Sequence, residues 1–209
     1  RKTGVDPAGD LALLLDLGLN ENDTLLDLGT GTGALPLLAA PRCRKVIAVD
    51  VSAPMLDALQ RRAEAAGIDN IEVVQGGFLS YQHDGEPVDV VYSRHALHHL
   101  PDFWKVIAFR RIAAMLKPGG IFHFRDLIFA VEPDEVDPAI ERWLSGAAPT
   151  PEVGWTREEL ETHLREEYST FSWLIESMLE RTGFEIRERH GVESQIYLAY
   201  TCVKVEPGS

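Results

Sequence analysis

The sequence predicts an α/β fold: a doubly wound, mostly parallel seven-stranded sheet with an antiparallel last strand and a helical insertion before the last helix. Three observations carry that prediction. Up to about residue 130, short apolar runs alternate with helix-length stretches, the order expected when parallel strands are joined by crossover helices. Several of those runs are too uniformly apolar to have one wet face, as expected of strands covered by helices on both sides. Beyond residue 170, one helical stretch is followed by two strand-like runs close enough to pair antiparallel.

The elements follow in order. Leu25–Leu28, Lys45–Asp50, Ile71–Gln75, Val88–Ser93 and Ile121–Ile128 read as strands. Between them, Ala34–Ala40, Pro54–Ala66 and Phe103–Leu116 read as helices. Pro36 falls in the first turn of the first helix, where its missing N–H costs little. Ser52 is placed to cap the second, and Lys117-Pro118-Gly119-Gly120 stops the third. Glu132–Gly154 holds Pro133, Pro138, Pro149 and Pro151 among many acids, with a short helix around Ala139–Ser145. Thr156 followed by Glu159 is a capping-box signature opening a helix that runs to about Glu166. Phe171–Thr182 is helical and ends at Gly183, and Phe184–His190 and Gln195–Val205 form the closing pair. The chain reads as one domain over residues 1–209, with 131–170 a helical insertion, read either as a lid over the carboxyl edge of the sheet, where ligands bind in such folds, or as a helical pair packed away from the site.

At 209 residues, 45% hydrophobic and 25% charged, the composition is that of a folded globular protein. No apolar run approaches the roughly 18–20 residues that span a bilayer, so no membrane partner is expected. Lys and Arg number 20 against 33 Asp and Glu, a net charge of -13. Such a surface repels phosphate backbones, which places nucleic acid low among the partners. Cys43 and Cys202 form neither a disulfide framework nor a metal pattern, and a cytoplasmic location is the expectation.

The sharpest local signal is Leu25-Leu26-Asp27-Leu28-Gly29-Thr30-Gly31-Thr32-Gly33-Ala34. An apolar strand runs directly into glycines that permit a tight turn and close approach of a ligand to the backbone. Asp50 ends the second strand, where a carboxylate can accept both ribose hydroxyls of an adenosine-containing cofactor. Gly29, Gly31 and Ala34 formally satisfy a dinucleotide fingerprint, which keeps a nicotinamide-dependent oxidoreductase as a competing reading. Asp27 argues against it: an acid at the strand tip faces a pyrophosphate unfavourably and suits a ligand presenting an ammonium group.

The stretch L-D-L-G-T-G-T-G resembles the first motif of class I S-adenosylmethionine-dependent methyltransferases. Further matches come in the family's order: the strand ending in Asp50; Val88-Asp89-Val90-Val91 with Ala96-Leu97-His98-His99-Leu100; Leu116-Lys117-Pro118-Gly119-Gly120; and the closing Gly183-Phe184-Glu185-Ile186. The resemblance covers about residues 20–130 and 171–205. It implies a Rossmann-like methyltransferase fold using S-adenosyl-L-methionine, with S-adenosyl-L-homocysteine as product. Gly29, Thr30, Gly31 and Gly33 would flank the methionine part of that cofactor, with Asp27 near its amino group. Asp50 would hold the ribose, Val51 and Met55 would pack on the adenine, and Ser93 and His98 would lie beside the cofactor. The family's third segment often carries an Asp after glycine, taking the adenine amino group. This chain has Gly76-Gly77-Phe78 instead, so Gly77 matches in position only, and adenine would fall to Phe78's backbone and ring or to Gln75.

His95, His98 and His99 raise the question of a metal, since imidazoles at such spacings can ligate zinc. No neighbouring Cys, Asp or Glu completes a set, and no metal is expected. His95, directly after the fourth strand, is placed near the reacting methyl, and with Tyr168 in the insertion it is a candidate catalytic residue. His123 is a further candidate base. Arg165 is a candidate for gripping an acidic substrate, and Asp126, at the end of the fifth strand, for touching it. The expected function is methyl transfer to a small-molecule acceptor. A non-catalytic S-adenosylmethionine-binding module acting through a partner is the alternative.

Overall fold

The computed structural model describes residues 6–191 and 195–205. Its strands are β1 (Thr24–Leu28), β2 (Lys45–Asp50), β3 (Ile71–Gln75), β4 (Val88–Arg94), β5 (Leu116–Phe129), β6 (Thr170–Phe171), β7 (Phe184–Gly191) and β8 (Tyr197–Lys204). Its helices are α1 (Pro7–Asp16), α2 (Pro36–Ala39), α3 (Ala53–Ala65), α4 (Asp102–Met115), α5 (Val136–Ser145), α6 (Arg157–Glu166) and α7 (Ser172–Arg181). The main sheet runs β3-β2-β1-β4-β5-β8-β7. β1 pairs in parallel with β2 and β4, β2 with β3, and β4 with β5, while β8 lies antiparallel to both β5 and β7. The predicted seven-strand path is therefore present. The two-residue β6, parallel to the far end of β5, is an addition to it.

Alternation along the strands divides the core. Leu25, Val46 and Val90 face α1 and α2, packing with Leu14 and Leu35. Leu26, Leu28, Ile47 and Val91 face the other way, onto Phe109 and Ile112 of α4 and Ile175 and Leu179 of α7. Each such fully buried side chain contributes about 1.5–3 kcal/mol relative to exposure. Phe122 and Phe124 stack at 4.8 Å, and Phe124 stacks on Tyr200 at 5.3 Å, tying β5 to β8. A third, smaller core of Leu127, Phe129, Val131, Ala139 and Ile196, with Trp143, Leu164 and Tyr197 against it, anchors α5 and α6 to the outer end of β5.

Four local expectations change. Helix α1 was not anticipated, although Asp6 accepts the Gly9 N–H at 3.0 Å and Pro7 opens the helix, a start signal present in the sequence. Helix α2 begins only at Pro36, because residues 31–35 are spent in the turn. Ser52 makes no side-chain cap; its N–H donates to Asp50 Oδ1 at 2.8 Å. Lys117–Gly120 does not separate a helix from a later strand, for β5 starts at Leu116 opposite Val88 and passes an irregularity before Ile121 pairs with Val90. The capping box of α6 forms as predicted, Thr156 Oγ1 accepting the Glu159 N–H at 3.3 Å and Glu159 Oε2 the Thr156 N–H at 3.0 Å. Among the described residues, no helix is long and apolar enough to cross a membrane.

Candidate active site

β1 has β2 on one side and β4 on the other, so the crossovers leave it in opposite directions and open a crevice at its carboxyl end. The glycine turn sits there. Gly29, Gly31 and Gly33 take φ of 80°, 55° and 75°, the left-handed region that side chains disfavour. Space adds a second constraint at two of them. A Cβ on Gly29 would stand 2.5 Å from Ala96 Cβ, and one on Gly33 2.1 Å from Leu59 Cδ1. The Gly29 and Thr30 N–H groups both donate to Val49 O, at 2.9 and 3.0 Å, and Gly31 N–H donates to Asp50 Oδ2 at 2.8 Å. The turn is thus tied to the tip of β2 by backbone and carboxylate alike.

Asp27 is buried at the tip of β1, its Oδ2 accepting from Thr30 Oγ1 at 2.7 Å. Burial, reinforced by the charges of Asp50 and Asp10, pushes its carboxyl up to about 7 against the lowering effect of that hydrogen bond. A buried carboxyl so raised is suited to receive a cation.

A cavity of about 720 Å³ opens above this turn. Asp27, Gly29, Thr30 and Gly31 form its floor; Tyr92, Arg94 and His95 form a wall at the end of β4. Trp143 of α5 and Leu160, His163 and Glu166 of α6 lie across from them, with Pro7 and Asp10 of α1 at one side. The insertion therefore borders the cavity. Asp10 is buried and accepts from Tyr92 Oη at 2.6 Å and from Arg94, which holds α1 against the sheet edge.

His95 lies on the wall in a left-handed conformation, φ 49°, unusual for a side-chain-bearing residue. Its N–H donates to Arg125 O at 2.9 Å, its ring meets Tyr197 edge-on at 5.9 Å, and its Nδ1 is buried without a hydrogen-bond partner. Burial, aided by Arg94 and opposed by Asp126, lowers its pKa to about 4, so the ring is neutral at neutral pH. His98 also lines the cavity, its Nδ1 paired with Asp126 Oδ1 at 2.5 Å.

Several sequence expectations are corrected. Asp126 does not reach the cavity. It is 2% exposed, behind the wall, and takes N–H groups from Leu97 and Leu127 at 2.8 and 2.7 Å as well as the His98 ring. Burial alone would raise its pKa, yet the His98 hydrogen bond and charge and the Leu127 N–H hold it below the usual carboxylate range. Ser93 is buried and donates to Leu28 O at 2.8 Å, a strand-to-strand tie. Tyr168 is half exposed and outside the cavity; its backbone is engaged, N–H to His98 O at 2.7 Å and carbonyl to Lys105. Arg165 is exposed and bonded to Thr162 Oγ1 at 3.2 Å, while Glu158, Glu159, Glu166 and Glu167 border the cavity instead. His123 is fully buried, bonded to Thr201 Oγ1 at 3.0 Å and away from the cavity.

The adenine side also differs. Phe78's ring is in the core and its carbonyl accepts from Arg111, so the ring has no ligand face. Val51 and Met55 are exposed, forming an apolar shelf outside the cavity proper. Gly77 is close under Val51, where a Cβ would meet Cγ1 at 2.9 Å. Gly33 lies against Leu59 and shapes the turn without lining the cavity.

The family model described as a methyltransferase domain matches residues 25–120, the stretch from β1 into β5. Over that stretch the chain is similar to methyltransferase domains, and its fold is that of solved S-adenosylmethionine-dependent methyltransferases. An uncharacterised methyltransferase of Geobacillus kaustophilus is 30% identical over 58% of the chain and 55% of its own length. A 27-O-demethylrifamycin SV methyltransferase of Amycolatopsis mediterranei is 29% identical over 72% of the chain and 55% of its own length. The chain thus spans little more than half the length of these curated relatives. A solved S-adenosylmethionine-dependent methyltransferase of Clostridium acetobutylicum shares the fold, with TM-score 0.74, 14% identity and coverage of 97% of this chain and 94% of the other. The family match ends before the insertion, so the roof of the cavity is the part it leaves undescribed.

Proposed function

We propose that this protein transfers a methyl group from S-adenosylmethionine to a small-molecule acceptor, releasing S-adenosylhomocysteine. The observation that carries the reading is the cavity of about 720 Å³ joining a buried, cation-ready carboxylate at a glycine turn to an aromatic and histidine wall. Its size is within the roughly 300–1,000 Å³ of small-molecule sites. The residues fit the cofactor. Asp27 would hold its ammonium group, Gly31 leaves the backbone bare beside it, Asp50 would take the ribose hydroxyls, and the Val51–Met55 shelf would carry the adenine. When bound, S-adenosylmethionine supplies an activated methyl on a sulfonium sulfur; the protein supplies alignment and dryness.

His95 is the residue best placed to take a proton from the acceptor, being neutral, cavity-facing and rigidly held. The insertion, residues 131–170, acts as the lid, with Trp143, Leu160 and His163 excluding water. Its glutamates favour a neutral or cationic acceptor over an acidic one, and with the net charge of -13 they disfavour nucleic acid. The test is calorimetric titration with S-adenosylmethionine, S-adenosylhomocysteine and NADH. Binding of the first two and not of NADH is expected; binding of NADH alone would overturn the reading.

A further inference from the structure

The same cavity wall brings together side chains that the sequence keeps far apart. Ligand atoms of His98, His99 and Glu167 lie within 4.8 Å of one another. His98 and His99 come from the short 3-10 turn after β4, and Glu167 caps the end of α6. The His99 Nδ1 to Glu167 Oε2 contact, at 2.7 Å, spans 68 residues of sequence. This corrects the sequence-level expectation that no carboxylate completes the histidine pair.

We infer that His98, His99 and Glu167 form a binding site for a divalent first-row transition-metal ion where the lid helix meets the sheet edge. Two imidazoles and one carboxylate are a donor set such ions accept, and three protein ligands leave coordination positions open. The ring nitrogen chemistry agrees. Asp126, itself held by backbone N–H groups, occupies His98 Nδ1 at 2.5 Å, which leaves the other ring nitrogen, Nε2, as the one to face an ion. A buried carboxylate on the far side of a ligating imidazole is the usual support for such ligands. Donors about 2 Å from one ion are no more than about 4 Å apart, so the 4.8 Å spread would have to tighten by about 1 Å on binding. His99 and Glu167 keep accessible side chains, which gives an ion a path from solvent.

The position gives the site a consequence. His98, His99 and Glu167 all line the cavity, and the His163 ring of α6 stands 5.0 Å from that of His98. An ion there would fasten α6 to the turn after β4 at the border of the cavity. Oxygen donors of an acceptor are the ligands such an ion takes from solution.

The experiment is calorimetric titration of the chelator-stripped full chain with Zn2+, repeated on His99→Ala and Glu167→Gln. Both changes are at accessible side chains, and circular dichroism checks that each variant is folded. One equivalent of Zn2+ bound by the wild type, at least tenfold weaker in either variant, is the expected result. A rise in the wild-type melting temperature with Zn2+, absent from both variants, is the second expected readout. No zinc binding, or binding unchanged by both substitutions, would overturn the proposal. None of these readouts needs the cofactor, so failure here leaves the methyl-transfer reading to its own test.

Discussion

The two sides of the cavity are built in different ways. The floor comes from one short piece of chain, in which β1 runs into the glycine turn and Gly31 reaches across to Asp50 on the neighbouring strand. Its geometry is set by backbone: three left-handed glycines, two of them with no room for a Cβ. The roof comes from α5 and α6, which rest on a small core of their own, and the end of α6 meets the turn after β4 through the His99–Glu167 pair and the Tyr168 N–H bond to His98 O. Backbone-determined geometry tolerates little change and recurs across a family; side-chain-determined geometry can be refitted to a different acceptor. On the proposed function, the cofactor would lie on the floor and acceptor choice would fall to the roof.

Substitutions can break that contrast at graded cost. The largest effect belongs to Asp126, which joins the turn carrying His98 to β5. Asp126→Ala strands the His98 ring and the Leu97 and Leu127 N–H groups in the interior, and a loss of about 3–5 kcal/mol in unfolding free energy is expected by denaturant titration. Asp50→Ala removes the acceptor of the Gly31 and Ser52 N–H groups. Affinity for S-adenosylhomocysteine should fall by about 1–3 kcal/mol by calorimetry. Unchanged affinity in a folded variant would take the ribose away from Asp50.

Asp27 makes a pH prediction. Its carboxyl is raised to about 7 in the empty site, first by burial and then by Asp50 and Asp10. Above pH 7 it is ionised and binds an ammonium directly; below pH 7 the ligand must first displace a proton. Affinity should therefore decline on acidification from pH 8 to pH 6, approaching about tenfold per pH unit below 7. Asp27→Asn should bind more weakly at pH 8 and lose that slope, and an equal slope in the variant would move the titration to another group. At the bottom of the scale, Tyr168→Phe and Arg165→Ala, both outside the cavity, should change stability and turnover by less than about 0.5 kcal/mol. A large loss of turnover in either would return them to the site.

How legible the molecule was follows the same division. Strands β1 to β4 and the glycine turn could be read because their signals are local: uniform apolarity, glycines at a strand tip, an acid at the end of the next strand. The α6 capping box was readable for the same reason. Asp10 could not be placed at the cavity, since its bond to Tyr92 spans 82 residues and depends on where α1 docks. Glu167 was assigned nothing, because its nearness to His99 exists only once α6 has packed. Asp126 was expected to touch substrate because it ends a strand at the ligand edge, which predicts proximity, while the pleat decides whether a side chain faces the cavity or, as here, the interior. Tyr168 looked catalytic from its polar, aromatic setting, yet it is the backbone of this residue that is used.

The most direct test of the floor-and-roof division is a crystal structure of the full chain with S-adenosylhomocysteine bound. The amino group should lie on Asp27 and the ribose hydroxyls on Asp50, with Leu160 and His163 of α6 still bounding the remaining space beside the sulfur. A ligand seated away from the glycine turn, or one whose binding leaves no space between the sulfur and α6 for an acceptor, would contradict it.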